Sequence, residues 1–457
     1  MIEDYFFILI WLMLPLVWHF MMKKAGLSLF QLTIPSFIII AIYIYQYFGL
    51  PILYFKLDNY RAISVTDKYL VLEVFFYTSI TLSLMIIGYL IAKKHFGRLI
   101  WNTAGIQHNF FIKKLNGGSI PRYNEFLLNI GLAFLVTISI LVLIVYLSKI
   151  GIDNVAFLVA LDFVGNEMSA ESARSSMGNA FDGKYHWYKV FMNDLLVYSL
   201  LVIFAKFLMN KSLKTGVIFI ITFLAATIVM IMAIEKGPMA NLMISLFLVF
   251  VIVKQRGKIF VKHIFVLSIP VVFLLIIIYK NFMGSSDNIS AISGVFSRLI
   301  TGQIEPAYHY LDYFKNHHDL LLGRSFPNPR NIFPFEHFEL TKELMAWKKP
   351  TQAELGVVGS MPTIFWGELY ANFGIIGVFS LPIIVGYGIY WINSIIFKFN
   401  IIPLSIGFLV WVIMHLKNLS GAGLSNFIFD HYLFTIILAY IFLMFLYGQG
   451  KIIYKYI

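Results

Sequence analysis

Apolar residues run along the chain in stretches of roughly twenty, broken by short turns that carry lysine and arginine. A hydrocarbon core about 30 Å thick takes roughly 20 apolar residues per helix, so the pattern predicts eleven spans. They fall near residues 4–22, 29–52, 70–92, 125–148, 189–209, 215–234, 237–253, 260–280, 363–393, 401–416 and 428–448. The rhythm stops between Asn281 and Met361. That interval carries Arg298, Glu305, His309, Asp312, His317, His318, Arg324, Arg330, Glu336, His337 and Glu343 among Tyr, Phe and Trp. Apolar sequence resumes after Pro362 through Gly367-Glu368-Leu369-Tyr370-Ala371-Asn372-Phe373-Gly374, so one carboxylate lies inside a span. The expected fold is an all-α polytopic membrane protein, with about 11 transmembrane helices and one large extracytoplasmic loop at 281–361. Residues 1–457 read as a single transmembrane bundle. An integral membrane chain that gathers its ionisable side chains on one loop is expected to bind something polar there.

Composition removes the competing classes. The chain is 60% hydrophobic and 13% charged, against about a quarter charged in soluble domains. The formal charge of +12 does not point to nucleic acid, because the basic residues are scattered between apolar spans. Positive turns that orient a chain in an anionic bilayer explain them. No cysteine is present, which leaves no disulfide framework, thiol nucleophile or Cys-based metal site. Met1-Ile2-Glu3-Asp4-Tyr5 leads into the first span without a small-residue cleavage pattern and reads as a retained helix.

Lysine and arginine set the orientation. With the N-terminus outward, inner turns hold eighteen of them and outer turns nine, the long loop being left out because long loops cross regardless of charge. The large loop then faces the periplasm, as does a smaller loop at 150–188, and a basic loop at 93–124 is cytoplasmic. The expected location is the bacterial inner membrane, multi-pass, with a periplasmic active face.

Familiar catalytic signatures are missing: there is no G-x-x-x-x-G-K-[ST], G-x-S-x-G, H-E-x-x-H or Asp-x-Asp. The histidines lack metal-ligand spacing, and no metal is expected. What remains is a set of cations and carboxylates. Arg298, Arg324, Arg330 and Lys236 offer donors to phosphate oxygens, or else solvate the loop. Glu305 and His309, four apart, share one helical face and form a usable general-base pair, or else a surface ion pair. Glu368, in a bilayer helix, faces a wet cavity or a partner such as Lys236 or Lys417.

The pattern resembles the Wzy-type O-antigen and capsule repeat-unit polymerases of bacterial inner membranes. The resemblance is carried by Glu235-Lys236-Gly237-Pro238, by Arg298 through Tyr310, and by Gly323-Arg324-Ser325-Phe326-Pro327. Gly359-Ser360-Met361-Pro362 and 367–377 complete it. Lys236 stands where members often have arginine. The resemblance implies a polysaccharide polymerase, a glycosyltransferase joining undecaprenyl-diphosphate-linked oligosaccharide units in O-antigen (lipopolysaccharide), capsule or exopolysaccharide biosynthesis. It implies Arg298, Arg324, Arg330, Lys236 and Lys417 on the diphosphates and Tyr308 and Tyr370 on the glycan. Glu305 or His309 would be the base, with Glu368 the second choice. No cofactor is required, because the lipid carrier supplies the activated bond. The partners implied are the lipid-linked donor and acceptor, membrane lipid and a chain-length regulator protein. An O-antigen ligase acting on lipid A-core is the nearest alternative, and a lipid-linked sugar flippase or transporter the second.

Overall fold

The computed structural model describes residues 2–59, 61, 64–97, 124–162, 173, 177, 185–266, 269, 272–273, 276, 288–354 and 359–448. In chain order its main helices are α1 (Ile2–Ala25), α2 (Ile34–Tyr54), α3 (Lys68–Gly97), α4 (Glu125–Ile150), α5 (Trp187–Asn210), α6 (Leu213–Ile231), α7 (Lys236–Gln255), α8 (Asn288–Ile300), α9 (Glu305–Asn316), α10 (Leu340–Lys348), α11 (Phe365–Ile396), α12 (Pro403–Leu416) and α13 (His431–Gly448). No strand occurs among the described residues. Ten described helices, α1 to α7 and α11 to α13, are long and apolar enough to cross a membrane. By length and composition the chain is therefore a multi-pass membrane protein. Ten of the 21 residues of the expected span at 260–280 lie outside the described residues, as do most of 93–124 and about half of 150–188.

Local chemistry moves the helix starts. The second span begins at Ile34 rather than residue 29, because Thr33 accepts the Ser36 amide at the N-cap and Pro35 occupies the first turn. The sixth begins at Leu213 behind Ser212, which caps the Thr215 amide. The two helices α2 and α5 each contain a π-turn, at Tyr43–Tyr47 and Val190–Leu195. Such turns recur at functional positions.

The helices group into two compact units. One comprises Met1–Gln107, Ile292–Phe397 and Leu416–Asp430; the other comprises His108–Ala291, Lys398–His415 and His431–Ile457. In the first unit α3 and α11 cross with their backbones in near contact. A Cβ on Gly88 would overlap the Ile383 carbonyl, and one on Gly386 the Met85 carbonyl. Without water to drive apolar surfaces together, such close backbone approach is what holds membrane helices. Trp366 donates to Thr78 Oγ1 at 3.1 Å across the same seam.

The helix α11 is not continuous. Gly374 has φ 59° and ψ −145°, a conformation essentially confined to glycine. It divides the helix into a short piece ending at Phe373 and a longer piece from Ile375. The break strands the carbonyls of Ala371 and Asn372, whose helical donors would lie four residues on. The chain after α9 supplies replacements: Leu321 N donates to Ala371 O at 2.9 Å and Leu322 N to Asn372 O at 3.0 Å. The polar loop is thereby docked on the helix break.

In the second unit Lys206 is buried near one end of α5. It reaches Asn129 Oδ1 at 2.7 Å and Glu125 at 3.2 Å on α4. This pairing is how a buried ammonium is tolerated in an apolar bundle.

Candidate functional site

Glu368 sits in the short piece of α11 and is 4% exposed. Its Oε1 accepts from the Ser325 hydroxyl at 2.7 Å, and its Oε2 from the Ser425 amide at 2.8 Å. Ser325 is itself set by Asn372, one turn further along, whose Nδ2 donates to Ser325 Oγ at 2.7 Å. The Asn372 Oδ1 also accepts from Gly323 N at 3.0 Å. Gly423 allows the 423–425 segment to lie against the carboxylate, for any Cβ there would overlap Glu368 Oε2. Three distant stretches therefore meet at one carboxylate.

Above it opens a cavity of about 540 Å³, within the range of small-molecule sites. Its walls combine Glu368, Ser325, Asn328, Thr341, Thr363, Ser425 and Asn426 with Tyr310, Phe338 and Phe429. Glu339 and His337 are the other acid and imidazole groups on the lining. Thr363 is 2% exposed, and its hydroxyl has no partner among the described residues.

Glu305 and His309 do meet as their spacing predicts, with Nε2 3.5 Å from Oε1 at the start of α9. The cluster is larger than the sequence suggested. Arg61 Nη1 binds Glu305 Oε2 at 2.6 Å, and the Ser64 hydroxyl donates to Oε1 at 2.8 Å. Burial alone would raise the Glu305 carboxyl. Hydrogen bonds from His309, Arg61 and Ser64, with the Arg61 charge, outweigh it and hold the group down at about 2. His309 is 1% exposed, with Nδ1 unpartnered among the described residues.

Gln46, in the π-turn of α2, adds a strut that nothing in the sequence marked. Its Nε2 donates to the Gln303 carbonyl at 3.0 Å and to the Ser420 carbonyl. This ties the approach to Glu305 to the turn holding Lys417, which is buried.

The three arginines expected to grip a diphosphate do not line the cavity. Arg298, Arg324 and Arg330 are exposed, and none is among the lining residues. The guanidinium of Arg324 lies 5.9 Å from the Phe338 ring centroid, which places it beside a lining residue. Arg330 sits on a turn with φ 55°, and Arg298 near the end of α8. Hydrated guanidinium groups keep to water unless a fixed acid draws them in, as Glu305 draws in Arg61. Lys236 opens α7 in the other unit, and its side chain lies outside the described residues. Tyr308 and Tyr370 are both buried. Tyr308 accepts the Asp67 amide at 3.0 Å, and Tyr370 packs on Tyr77 with ring centroids 5.5 Å apart.

Arg61 and Ser64 escaped the sequence reading because they lie more than 240 residues from Glu305. Ser425 and Gly423 likewise sit in a short turn without a motif. In comparisons with known proteins the chain matches no family model, no curated protein and no solved structure.

Proposed function

We propose that the chain is a membrane glycosyltransferase that lengthens a polysaccharide by joining oligosaccharide units carried on undecaprenyl diphosphate. The reading places its active face on the periplasmic side of the inner membrane, in O-antigen, capsule or exopolysaccharide assembly. The observation that carries it is the cavity. A fixed carboxylate, hydroxyl and amide groups, and aromatic rings meet there beneath a polar loop, in a chain whose helices are of membrane length. Rings that cover the C–H faces of a sugar, beside groups that bond its hydroxyls, suit a glycan.

In this reaction the acceptor hydroxyl oxygen bonds to the anomeric carbon of the donor. The bond from that carbon to the diphosphate oxygen breaks, and the lipid diphosphate leaves with the electron pair. The acceptor proton passes to a base. A base must reach the reacting hydroxyl, and Glu368 borders the cavity whereas Glu305 does not. A carboxylate held at about 2 is also a weak base. We therefore assign proton acceptance to Glu368. Glu305 becomes a positioning residue that ties Arg61 and Ser64 to α9, which carries Tyr310 to the cavity wall. Arg324, beside the lining at Phe338, is the cation assigned to the departing diphosphate.

Purified chain in nanodiscs, given a synthetic undecaprenyl-diphosphate-linked repeat unit, should release undecaprenyl diphosphate and build a ladder of lengths. Glu368→Gln should lower that rate about 10²-fold or more, the scale of general-base catalysis. Wild-type protein that releases no lipid diphosphate from any repeat-unit lipid sinks the reading.

A further inference from the structure

The cavity lining has an asymmetry of charge. Its ionisable residues are two carboxylates, Glu368 and Glu339, with His337 and the Tyr310 phenol, and among the described residues no lysine or arginine borders it. Glu339 is already matched by Lys342, three residues on and off the lining. A diphosphate or a uronic acid placed inside would meet Glu368 without a fixed cation opposite it, and like charges brought together out of water are strongly disfavoured. The groups left for a ligand are neutral. They include the unpartnered Thr363 hydroxyl, the Asn426 amide and the rings of Tyr310 and Phe429.

We infer that this cavity admits the non-anionic part of the glycan, built of neutral or amino-bearing sugars, and that the diphosphate and uronic acids are kept out. The inference deepens the transferase reading and rests on it for the ligand being a glycan. The chain would then select the sugar at the reacting end by charge. The lipid diphosphate stays outside, where Arg324 is exposed. Orphaned buried polar groups reward a ligand that pairs them and penalise one that does not. Thr363 therefore adds a requirement for a correctly placed hydroxyl or amine.

The chain has no cysteine, so a single introduced thiol reports on one place. Asn426 lines the cavity and is exposed, which makes Asn426→Cys a reporter, with exposed Asp319→Cys off the lining as the control. Maleimide labelling is followed in nanodiscs against maltotriose, the chitosan trimer, trigalacturonate and inorganic pyrophosphate. The first two should slow labelling of Asn426→Cys at concentrations at least about tenfold below any at which trigalacturonate does, a difference of about 1.4 kcal/mol. Pyrophosphate should give no protection, and Asp319→Cys should label at one rate throughout. Protection by trigalacturonate or pyrophosphate at equal or lower concentration overturns the inference, as does protection by none of the sugars. The two failures separate. A product ladder from a chain whose cavity is protected by anions removes the charge rule and keeps the transferase. Protection by neutral sugars without any released lipid diphosphate does the reverse.

Discussion

Glu368 and Glu305 are carboxylates of the same type held by different means, and the difference decides what each can do. Glu368 is surrounded by neutral donors from Ser325 and Ser425, an arrangement with no permanent cation on the charge among the described residues. Its weak point is Gly423. Gly423→Ala should push the 423–425 segment off the carboxylate, remove the Ser425 bond and cut glycan elongation about tenfold or more while the protein still inserts. Elongation at the wild-type rate would show that this contact is dispensable. Glu305 is fixed by charge, and its carboxyl falls from an ordinary 4.5 to about 2 on folding. A group whose value is lowered in the folded state stabilises above the unfolded value and ceases to do so as the pH drops. The unfolding temperature should therefore fall between pH 4.5 and 2 more steeply in the wild type than in Glu305→Gln. Parallel pH curves for the two proteins would detach Glu305 from the acid response. At this scale the sequence was informative within a helix and silent across it. Four-residue spacing announced Glu305 with His309, whereas Arg61, Gln46 and Ser425 reach their sites only through folding.

Helices were legible because membrane burial imposes a length and a composition together. The Gly374 break was not, since apolar residues continue on both sides of it and hydropathy does not sense a backbone angle. The break nevertheless organises the polar loop, because the carbonyls it strands are the ones that receive Leu321 and Leu322. Gly374→Ala would require a side chain at φ 59° and costs about 1–3 kcal/mol. The added Cβ would also press on Leu320 at 3.2 Å. The expected result is faster hydrogen exchange at the Leu321 and Leu322 amides and easier proteolysis of the following loop. Unchanged exchange at both would show that the loop docks by other contacts. The three arginines stand apart for a related reason: density of charge along a loop says nothing about convergence. Arg298, Arg324 and Arg330 stand on separate elements, each with its own access to water.

For the whole molecule, the distribution of positive turns predicts which side each loop occupies. An impermeant maleimide applied to intact cells should label Ile332→Cys, at an exposed position of the polar loop, and should leave Lys398→Cys untouched until the cells are opened. Labelling in the opposite order would invert the topology and remove the periplasmic reading with it. Ten of the eleven expected spans have described helices in their place, while the way polar segments fold over them had no trace in the linear pattern. One dimension of the broken helix connects these scales. At 32 residues, an unbroken α11 would measure about 48 Å, far more than the roughly 30 Å slab it has to cross. The stretch beyond Gly374, from Ile375 to Ile396, is about 33 Å long at that rise and suffices for the crossing unaided. If the stretch from Ile375 is the part that crosses, the joint would work as a depth stop, with the part bearing Glu368 left over to stand at the waterline.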